Sequence, residues 1–401
     1  MNKKLLFRLP IVIAFTALCT GCPKPNPYPT PAPVETHVVY SPGENLTALT
    51  KVHETEYKCD FPFGGDGGRN LFFCVRDNAG SRNIYRKDNP TSMSIVQLTG
   101  GKSRNMAPSY CAATNVVVFD GRPEGNSVSD IYMVNATQGG ALQQITNTPD
   151  AHEQYPCISR DGKRIVYEKV PLNRNEKDTE LWIRNLQTNE NLLLGLGRTP
   201  SFSPDGRSIV FVKYASDGYN TSLCTMNTEG GNLTQLTDAG TGSAWRPCFS
   251  PDGTKIVFQW QKNQKNDCDL YVVDRNGNGL TQLTINRSYD GEPYWASDGN
   301  IYFTSDRGGR NQHYQIWRFR YGGITPPQPP VVNEVGSNTG STSTPPPMPP
   351  VAEGKTHTVQ NGETITDIAR RYGVTVRDVV KWNSLTTMTI TPGMKLKVSA
   401  Q

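Results

Sequence analysis

The 401-residue sequence lacks the short motifs of several common catalytic sites. It contains no G-x-S-x-G nucleophile elbow, no G-x-x-x-x-G-K-S/T phosphate loop and no H-E-x-x-H zinc motif. The stretches HETEY at 53–57 and HEQYP at 152–156 begin like the zinc motif but lack its second histidine. The sequence therefore predicts a protein that is not an enzyme, with no cofactor and no metal site.

Long apolar runs and a strong charge of either sign are also missing. Hydrophobic residues make up 35% of the chain, and the apolar stretch near the N-terminus is roughly ten residues long, too short to cross a bilayer. Without the three basic residues of residues 1–21, the chain has 38 Lys and Arg against 36 Asp and Glu. This near-neutral balance argues against nucleic acid as a partner.

A repeat of 44 to 48 residues fills most of the chain. Each of six copies starts at an anchor proline and continues with a short β-branched or aromatic run, such as IVF at 209–211, and then a second strand, such as DLYVV at 269–273. Four copies place an Asp-Gly pair between the anchor and the first run, which predicts a tight hairpin turn. The anchors are Pro62, Pro108, Pro156, Pro200, Pro247 and Pro293.

The two ends of the repeat array complement each other. Most copies close with a strand such as LTQLT at 233–237, the third copy has NLLLG at 191–195, and the sixth has no such strand after RYGG at 320–323. The segment ENLTALT at 44–50 resembles GNLTQLT at 231–237 and can supply the missing strand. A ring closed in this way has no exposed sheet edge. We therefore expect an all-β, six-bladed β-propeller over residues 44–323.

The repeat pattern P-x-F-S-P-D-G-x-x-I-V-F, followed by D-L-Y and Q-L-T, resembles the WD40-like repeat of TolB-like β-propellers. The resemblance implies a periplasmic protein of the cell envelope whose propeller binds another protein, for example one of the Pal type. Related propellers also occur in peptidases and lyases, so fold alone does not settle function. The alternative is a propeller hydrolase or lyase.

The N-terminus has the pattern of a secretory signal, with Lys3, Lys4 and Arg8 ahead of the apolar stretch. Its end, ALCTGC, resembles a bacterial lipobox, which implies cleavage after residue 21 and lipidation of Cys22; plain secretion with Cys22 unmodified is the alternative. Pro23 in place of aspartate implies a lipid anchor on the periplasmic side of the outer membrane. Residues 22–43 and 324–355 are rich in proline and are interpreted as linkers.

Seven cysteines remain beyond the N-terminal pair Cys19 and Cys22, so they cannot all form disulfides with one another. We interpret them mainly as small buried hydrophobic residues. A disulfide between Cys59 and Cys74 is an open alternative in an oxidising periplasm.

Residues 356–399 have the pattern of a small β-α-α-β domain. Thr364 and Thr375 stand at helix starts, and apolar residues follow at helical spacing. The motifs V-x-x-G-E-T-I-x-x-I-A-x-x-Y-G-V, W-N-S-L and I-x-P-G-x-x-L-x-V resemble the LysM domain. The resemblance implies binding of the N-acetylglucosamine chains of peptidoglycan between two loops. The corresponding residues are Gly362, Glu363, Thr364, Ile365, Asn383, Ser384, Leu385 and Ile390.

Long loops of the predicted propeller gather on one face, which we interpret as a protein-interaction face. Its candidate residues are His53, Glu54, His152, Glu153, Arg246, Asp290 and Glu292. His53, His152 and His313 fall on the same face, which would allow a metal centre like that of propeller lyases. We regard this as the less favoured alternative.

Together these features predict a lipoprotein that tethers the envelope. The lipid would hold one layer, the LysM domain would hold peptidoglycan, and the propeller would bind a protein partner. One alternative is an enzyme that the LysM domain targets to the cell wall. Another is a propeller that itself binds a glycan.

Overall fold

A computed structural model describes most of the two predicted domains. The described residues are 47–53, 57–65, 68–90, 92, 94–172, 175–215, 218–261, 268–285, 288–307, 314–321, 356–360, 363, 365–372, 374, 376–383, 385 and 390–399. The predicted signal, Cys22 and both linkers lie outside them. Among the described helices, none has the length and apolar character needed to span a bilayer.

The six sequence copies form six blades of four antiparallel strands each. The strands of the first three blades, from the axis outward, are β2 (Lys58–Gly64), β3 (Leu71–Arg76), β4 (Arg82–Lys87) and β5 (Val96–Gln97); β6 (Arg104–Cys111), β7 (Val116–Arg122), β8 (Asp130–Asn135) and β9 (Gln143–Gln144); and β10 (Ala151–Ile158), β11 (Arg164–Pro171), β12 (Glu180–Asn185) and β13 (Asn191–Leu196).

The last three blades have the same order. Their strands are β14 (Arg198–Phe202), β15 (Ser208–Tyr214), β16 (Thr221–Asn227) and β17 (Thr234–Gln235); β18 (Ser243–Phe249), β19 (Lys255–Gln261), β20 (Cys268–Asp274) and β21 (Thr281–Gln282); and β22 (Asp290–Trp295), β23 (Asn300–Ser305), β24 (Gln315–Arg320) and β1 (Thr47–His53). Single 3-10 turns occur at Glu176–Asp178 and Ala239–Thr241.

The N-terminal strand completes blade six, as the sequence predicted. β1 runs antiparallel to β24, with Lys51 opposite Trp317. Leu49 is fully buried in the same apolar cluster as Trp317 and Phe319, so closure buries side chains as well as pairing backbone groups. The first and last segments of the repeat array therefore share one sheet, and the ring is closed.

The Asp-Gly pairs form the predicted hairpin turns. In blade four, Asp205 accepts hydrogen bonds from the Ser203 hydroxyl at 2.5 Å and the Arg207 backbone N–H at 3.0 Å. The Ser203 bond contributes most to lowering the pKa of Asp205. Gly206 follows with φ of 66°, a conformation that glycine adopts without steric cost.

The seven cysteines of the propeller are free, and five of them are buried. Cys59 lies opposite Val75, and Cys74 lies opposite the next residue, Asp60. Successive residues of a strand point to opposite faces, and the two cysteines accordingly join different apolar clusters. The alternative disulfide between Cys59 and Cys74 is therefore not formed.

The C-terminal domain has the predicted β-α-α-β order. It consists of β25 (Thr356–Thr358), α1 (Ile365–Tyr372), α2 (Val376–Trp382) and β26 (Lys395–Lys397), with the two strands antiparallel. Ile365, Ile368, Val379 and Leu396 form its core. The predicted helix starts Thr364 and Thr375 lie outside the described residues.

This domain packs on blade three, a contact that the sequence did not predict. Helix α2 lies against β13, and Leu193 of β13, 2% exposed, belongs to the apolar cluster of the C-terminal domain. Trp182 and Leu196 also pack against that cluster. Strand β13 has six residues, whereas β5, β9, β17 and β21 have two each. The long apolar outer strand of blade three thus provides the surface that α2 covers.

Candidate functional site: the propeller channel and the LysM loops

The innermost strand of every blade bends at the residue before the anchor proline. This residue has a positive φ in all six blades, between 48° and 56°. The register of the pairing with the next strand shifts at the same place. Such a conformation is uncommon for residues other than glycine and is often found at functional sites. The six residues are Phe61, Ala107, Tyr155, Thr199, Arg246 and Glu292.

Carboxylates satisfy several of the backbone N–H groups at these bends. The N–H of Tyr155 donates to Asp120 at 3.2 Å, and that of Thr199 donates to Glu168 at 2.8 Å. The N–H of Phe61 donates to Glu292 at 2.9 Å. In each case the carboxylate belongs to the preceding blade, so these bonds join neighbouring blades around the channel.

Three large side chains from alternate blades meet in the channel. The guanidinium carbon of Arg246 lies 3.5 Å from the ring centroid of Tyr155 and 5.0 Å from that of Phe61. The two ring centroids are 6.2 Å apart. Blades two and four contribute only Ala107 and Thr199 at this position. The arginine is therefore held by cation–π contacts, and this aromatic and cationic group narrows the channel.

Two carboxyl groups beside the channel, those of Asp60 and Asp120, are buried. Burial, and then the nearby charge of Glu292, raises the pKa of Asp60 to about 7. Asp60 also lies 3.4 Å from Arg82. Burial raises the pKa of Asp120 to about 7 as well, against the hydrogen bond from Tyr155. Carboxyl groups that change protonation near neutral pH are typical of functional sites.

The residues predicted to form the interaction face separate into two groups. Arg246 and Glu292 line the channel. Asp290 is fully buried, forms an ion pair with Arg307 and accepts a hydrogen bond from the Ser305 hydroxyl at 2.5 Å. Its carboxylate therefore stabilises blade six, and a role for it in partner binding stays a prediction.

His152 and Glu153 lie at the start of β10, away from the channel bend. His152 Nδ1 accepts a hydrogen bond from the Ser129 backbone N–H at 3.1 Å, and burial lowers the pKa of this histidine. Glu153 is buried between blades two and three. Glu54 and the side chain of His53 lie outside the described residues.

The alternative metal centre involved His53, His152 and His313. One ring nitrogen of His152 is occupied by Ser129, and His313 lies outside the described part of the chain. Within the ranges given above, no group of three or more His, Cys, Asp or Glu residues could hold a metal ion.

Sequence reasoning did not identify Phe61, Tyr155, Asp60 or Asp120. The available signal was their position relative to the anchor proline. Residues 61 and 155 directly precede it, and residue 60 precedes residue 61. Only the closed ring shows that these positions converge on one axis.

In the C-terminal domain, Glu363 connects the loop after β25 with α1. Its carboxylate accepts hydrogen bonds from the Gln360 backbone N–H at 2.8 Å, from His357 at 2.6 Å and from Arg371 at 2.6 Å. These donors, led by the Gln360 N–H, lower the pKa of Glu363 to about 2. His357 also contacts the Tyr372 hydroxyl at 3.1 Å. Glu363 thus orients this loop.

Asn383 joins the end of α2 to β26. Its side-chain amide donates to the carbonyls of Val379 at 2.7 Å and Lys397 at 2.9 Å, and accepts from the Lys397 N–H at 2.8 Å. Ile365 is fully buried in the core, whereas Leu385 and Ile390 are half-buried beside it. Gly362, Thr364 and Ser384 lie outside the described residues. Leu385 and Ile390 thus provide partly exposed apolar surface in this domain.

Comparisons with known proteins agree with both domains. The chain is 46% identical over 46 residues to an N-acetylmuramoyl-L-alanine amidase from Staphylococcus saprophyticus, which covers 12% of this chain and 14% of the amidase. Among solved structures, TolB from Acinetobacter baumannii is similar with a TM-score of 0.50 and 15% identity, covering 64% of each chain. An oligogalacturonate lyase from Vibrio parahaemolyticus has a TM-score of 0.48 and 16% identity, covering 71% of this chain and 96% of the lyase.

Two sequence families match the chain. The LysM domain family matches residues 357–399. The TolB beta propeller domain family matches residues 45–241 and 198–323, which together exceed half of the chain. The chain therefore has a C-terminal LysM domain and belongs to the TolB beta propeller domain family.

Proposed function

We propose that this protein is a lipoprotein of the bacterial cell envelope that tethers peptidoglycan and binds a protein partner through its propeller. The observation that carries the proposal is the LysM domain, in which Glu363 joins Gln360 to α1 and Asn383 joins α2 to β26. A framework held together in this way lowers the ordering cost of binding a glycan. The role is binding rather than catalysis.

The propeller supports the second half of the proposal. The channel combines the Arg246 cation with the buried carboxyl groups of Asp60 and Asp120, on a rigid scaffold. A partner protein that inserts a polar segment at the channel mouth would meet Arg246 and Glu292, which line the channel. A partner of the Pal type fits this description, and a lipid on Cys22 would place the protein on the periplasmic side of the outer membrane.

Cosedimentation with purified peptidoglycan sacculi tests the wall-binding role. The chain from residue 23 to 401 should pellet with sacculi, and the chain ending at residue 323 should stay in solution. The variant Leu385→Ser removes partly exposed apolar surface near Asn383 and should weaken pelleting. If the shortened chain pellets equally, the propeller binds the wall and the proposed division of roles is wrong.

The lipid anchor has a separate test. Metabolic labelling with a radioactive fatty acid should label the natural protein and not the variant Cys22→Ala. The labelled protein should fractionate with outer membranes. Labelling that persists in the variant would contradict the assignment of the anchor to Cys22.

A further inference from the structure

Blade three differs from the other blades at one register position of its outer strand. In four blades, the outer-strand residue that pairs with this position of the third strand is a glutamine, half-buried or exposed. These residues are Gln97, Gln144, Gln235 and Gln282. In blade three the same position is Leu193, opposite Trp182, and in blade six it is Lys51, opposite Trp317. Blade three therefore has an apolar residue where the other blades have a polar one.

The LysM domain covers this apolar position. Leu193 is buried in the same apolar cluster as Val379 of α2. Trp182 and Leu196 of blade three are half-buried and pack against that cluster. We call Trp182, Leu193 and Leu196 the blade-three patch. The departure from glutamine thus coincides with the place where α2 lies on the propeller.

Proximity along the chain does not explain why the domain lies on blade three. Strand β24, which precedes the LysM domain in the chain, belongs to blade six, and blade six is opposite blade three in a ring of six. Residues 322–355 connect β24 and its flanking residue to the domain, and a chain of that length spans at most about 110–120 Å. It is long enough to reach nearer blades as well. The position of the domain therefore reflects the apolar patch.

The contact is small enough to separate without unfolding either domain. The LysM domain has its own core, which includes Ile365, Ile368 and Leu396. The ion pairs of Glu363 also lie within the domain. Separation would expose Leu193 and parts of two half-buried side chains, and single apolar residues are common on protein surfaces. Small contacts between domains permit relative motion.

We propose that the blade-three patch is a reversible latch for the LysM domain of the same chain. In the docked state the domain moves with the propeller, and in the released state residues 322–355 extend its reach. Because the two domains are linked, the released domain stays at a high local concentration near the patch, and a weak contact is enough for docking. The protein then has a short and a long form. The use of these two forms in the envelope rests on the proposed tethering function.

NMR relaxation of backbone ¹⁵N in the chain from residue 23 to 401 tests the latch. In the natural chain, the α1 amides should tumble with the propeller amides. Leu193→Gln introduces the residue that four other blades have at this position, so the propeller should still fold. The variant should weaken docking at least about tenfold, because a buried leucine is lost from the contact, and the α1 amides should then tumble faster than the propeller. Leu196→Gln, in the same patch, gives an independent second variant.

Leu142→Gln is the matched control. Leu142 is 56% exposed in the turn before β9 of blade two, outside the blade-three patch, and its substitution should leave the domain docked. Urea weakens apolar contacts. A urea concentration too low to unfold either domain should release the LysM domain of the natural chain, and dilution should restore docking.

Independent tumbling of α1 in the natural chain would overturn the latch, as would docking that persists in both Leu193→Gln and Leu196→Gln. If α1 tumbles with the propeller at every urea concentration until one domain unfolds, the contact is permanent and its reversibility is wrong. None of these measurements uses peptidoglycan. Failure of the latch would therefore leave the wall-binding role intact, and failure of cosedimentation with sacculi would leave the latch intact.

Discussion

Carboxyl groups in the propeller channel and in the LysM domain have pKa values shifted in opposite directions. Burial raises the pKa of Asp60 and Asp120 to about 7. Glu363 has a pKa lowered to about 2 because three donors converge on its carboxylate. Hydrogen-bond donors favour the ionised carboxylate, whereas burial favours the neutral carboxyl group. The difference shows that the balance of these two effects decides the charge state.

The two regions also differ in how they hold a site in place. The propeller uses six bent strands in a closed ring, and its bends depend on contacts between blades. The LysM domain uses two local clamps, Glu363 and Asn383, that join segments near each other in its own fold. We therefore expect a substitution far from the contact between α2 and β13 to leave the other region folded.

The largest expected effect comes from the closing strand of the propeller. Leu49→Ala removes a fully buried side chain from the cluster around Trp317, and should lower the free energy of unfolding of the propeller by about 2–5 kcal/mol. Urea unfolding of the full chain measures this change, with exposed Thr234→Ala on β17 as the control. Hydrogen exchange of α1 should not change. Parallel loss of protection in α1 would show that the two regions unfold as one.

The second test addresses the buried carboxyl of Asp120. Its folded pKa lies above its unfolded value of 3.8, so ionisation destabilises the fold increasingly as pH rises from about 4 to about 7. Asp120→Asn removes the charge but keeps an acceptor for the Tyr155 N–H. The free energy of unfolding of the variant, minus that of the natural chain, should increase by about 2–3 kcal/mol from pH 5 to pH 8.

Urea unfolding of both proteins at the two pH values measures the gain. Asp205→Asn is the matched control, because the pKa of Asp205 is lowered and its substitution should not stabilise the propeller. A stability difference that does not vary with pH would contradict a buried, raised carboxyl at position 120.

The smallest expected effect concerns Glu363. Its folded pKa lies below its unfolded value of 4.5, so its stabilisation is complete above that value and is lost as pH falls towards about 2. Glu363→Gln should lower the melting temperature of α1 at pH 7, and the difference should shrink at pH 3. NMR signals of the α1 amides measure it. Arg371→Gln removes only one of the three donors and should have a smaller effect; an equal effect would contradict the shared clamp.

The repeat predicted the six-bladed architecture because its pattern of turn residues and apolar runs depends on local turns and on which side chains are buried. The anchor prolines, the Asp-Gly turns and the apolar runs each specify one strand or turn, and six copies specify six blades. The similarity between residues 44–50 and 231–237 correctly predicted the strand that closes the ring. In the LysM domain, helical spacing of apolar residues and the turn residues defined both helices.

The candidate sites were less predictable from the sequence. The sequence placed Arg246 and Glu292 with Glu153 and Asp290 on one face, but the structure separates the first two, in the channel, from the second two, which are buried elsewhere. In the repeat, Glu153 and Asp290 lie two positions before the residues equivalent to Arg246 and Glu292, so regular strand alternation would put all four on one side. The bend before each anchor proline changes that alternation locally.

The sequence by itself determined the number of blades, the strand that closes the ring and the order of elements in the LysM domain, because these depend on patterns within short segments. Only the tertiary structure decided that Phe61, Tyr155 and Arg246 meet in the channel and that α2 covers β13. Those contacts join residues far apart in the chain, and their free energy depends on a shared position in space that no local pattern encodes.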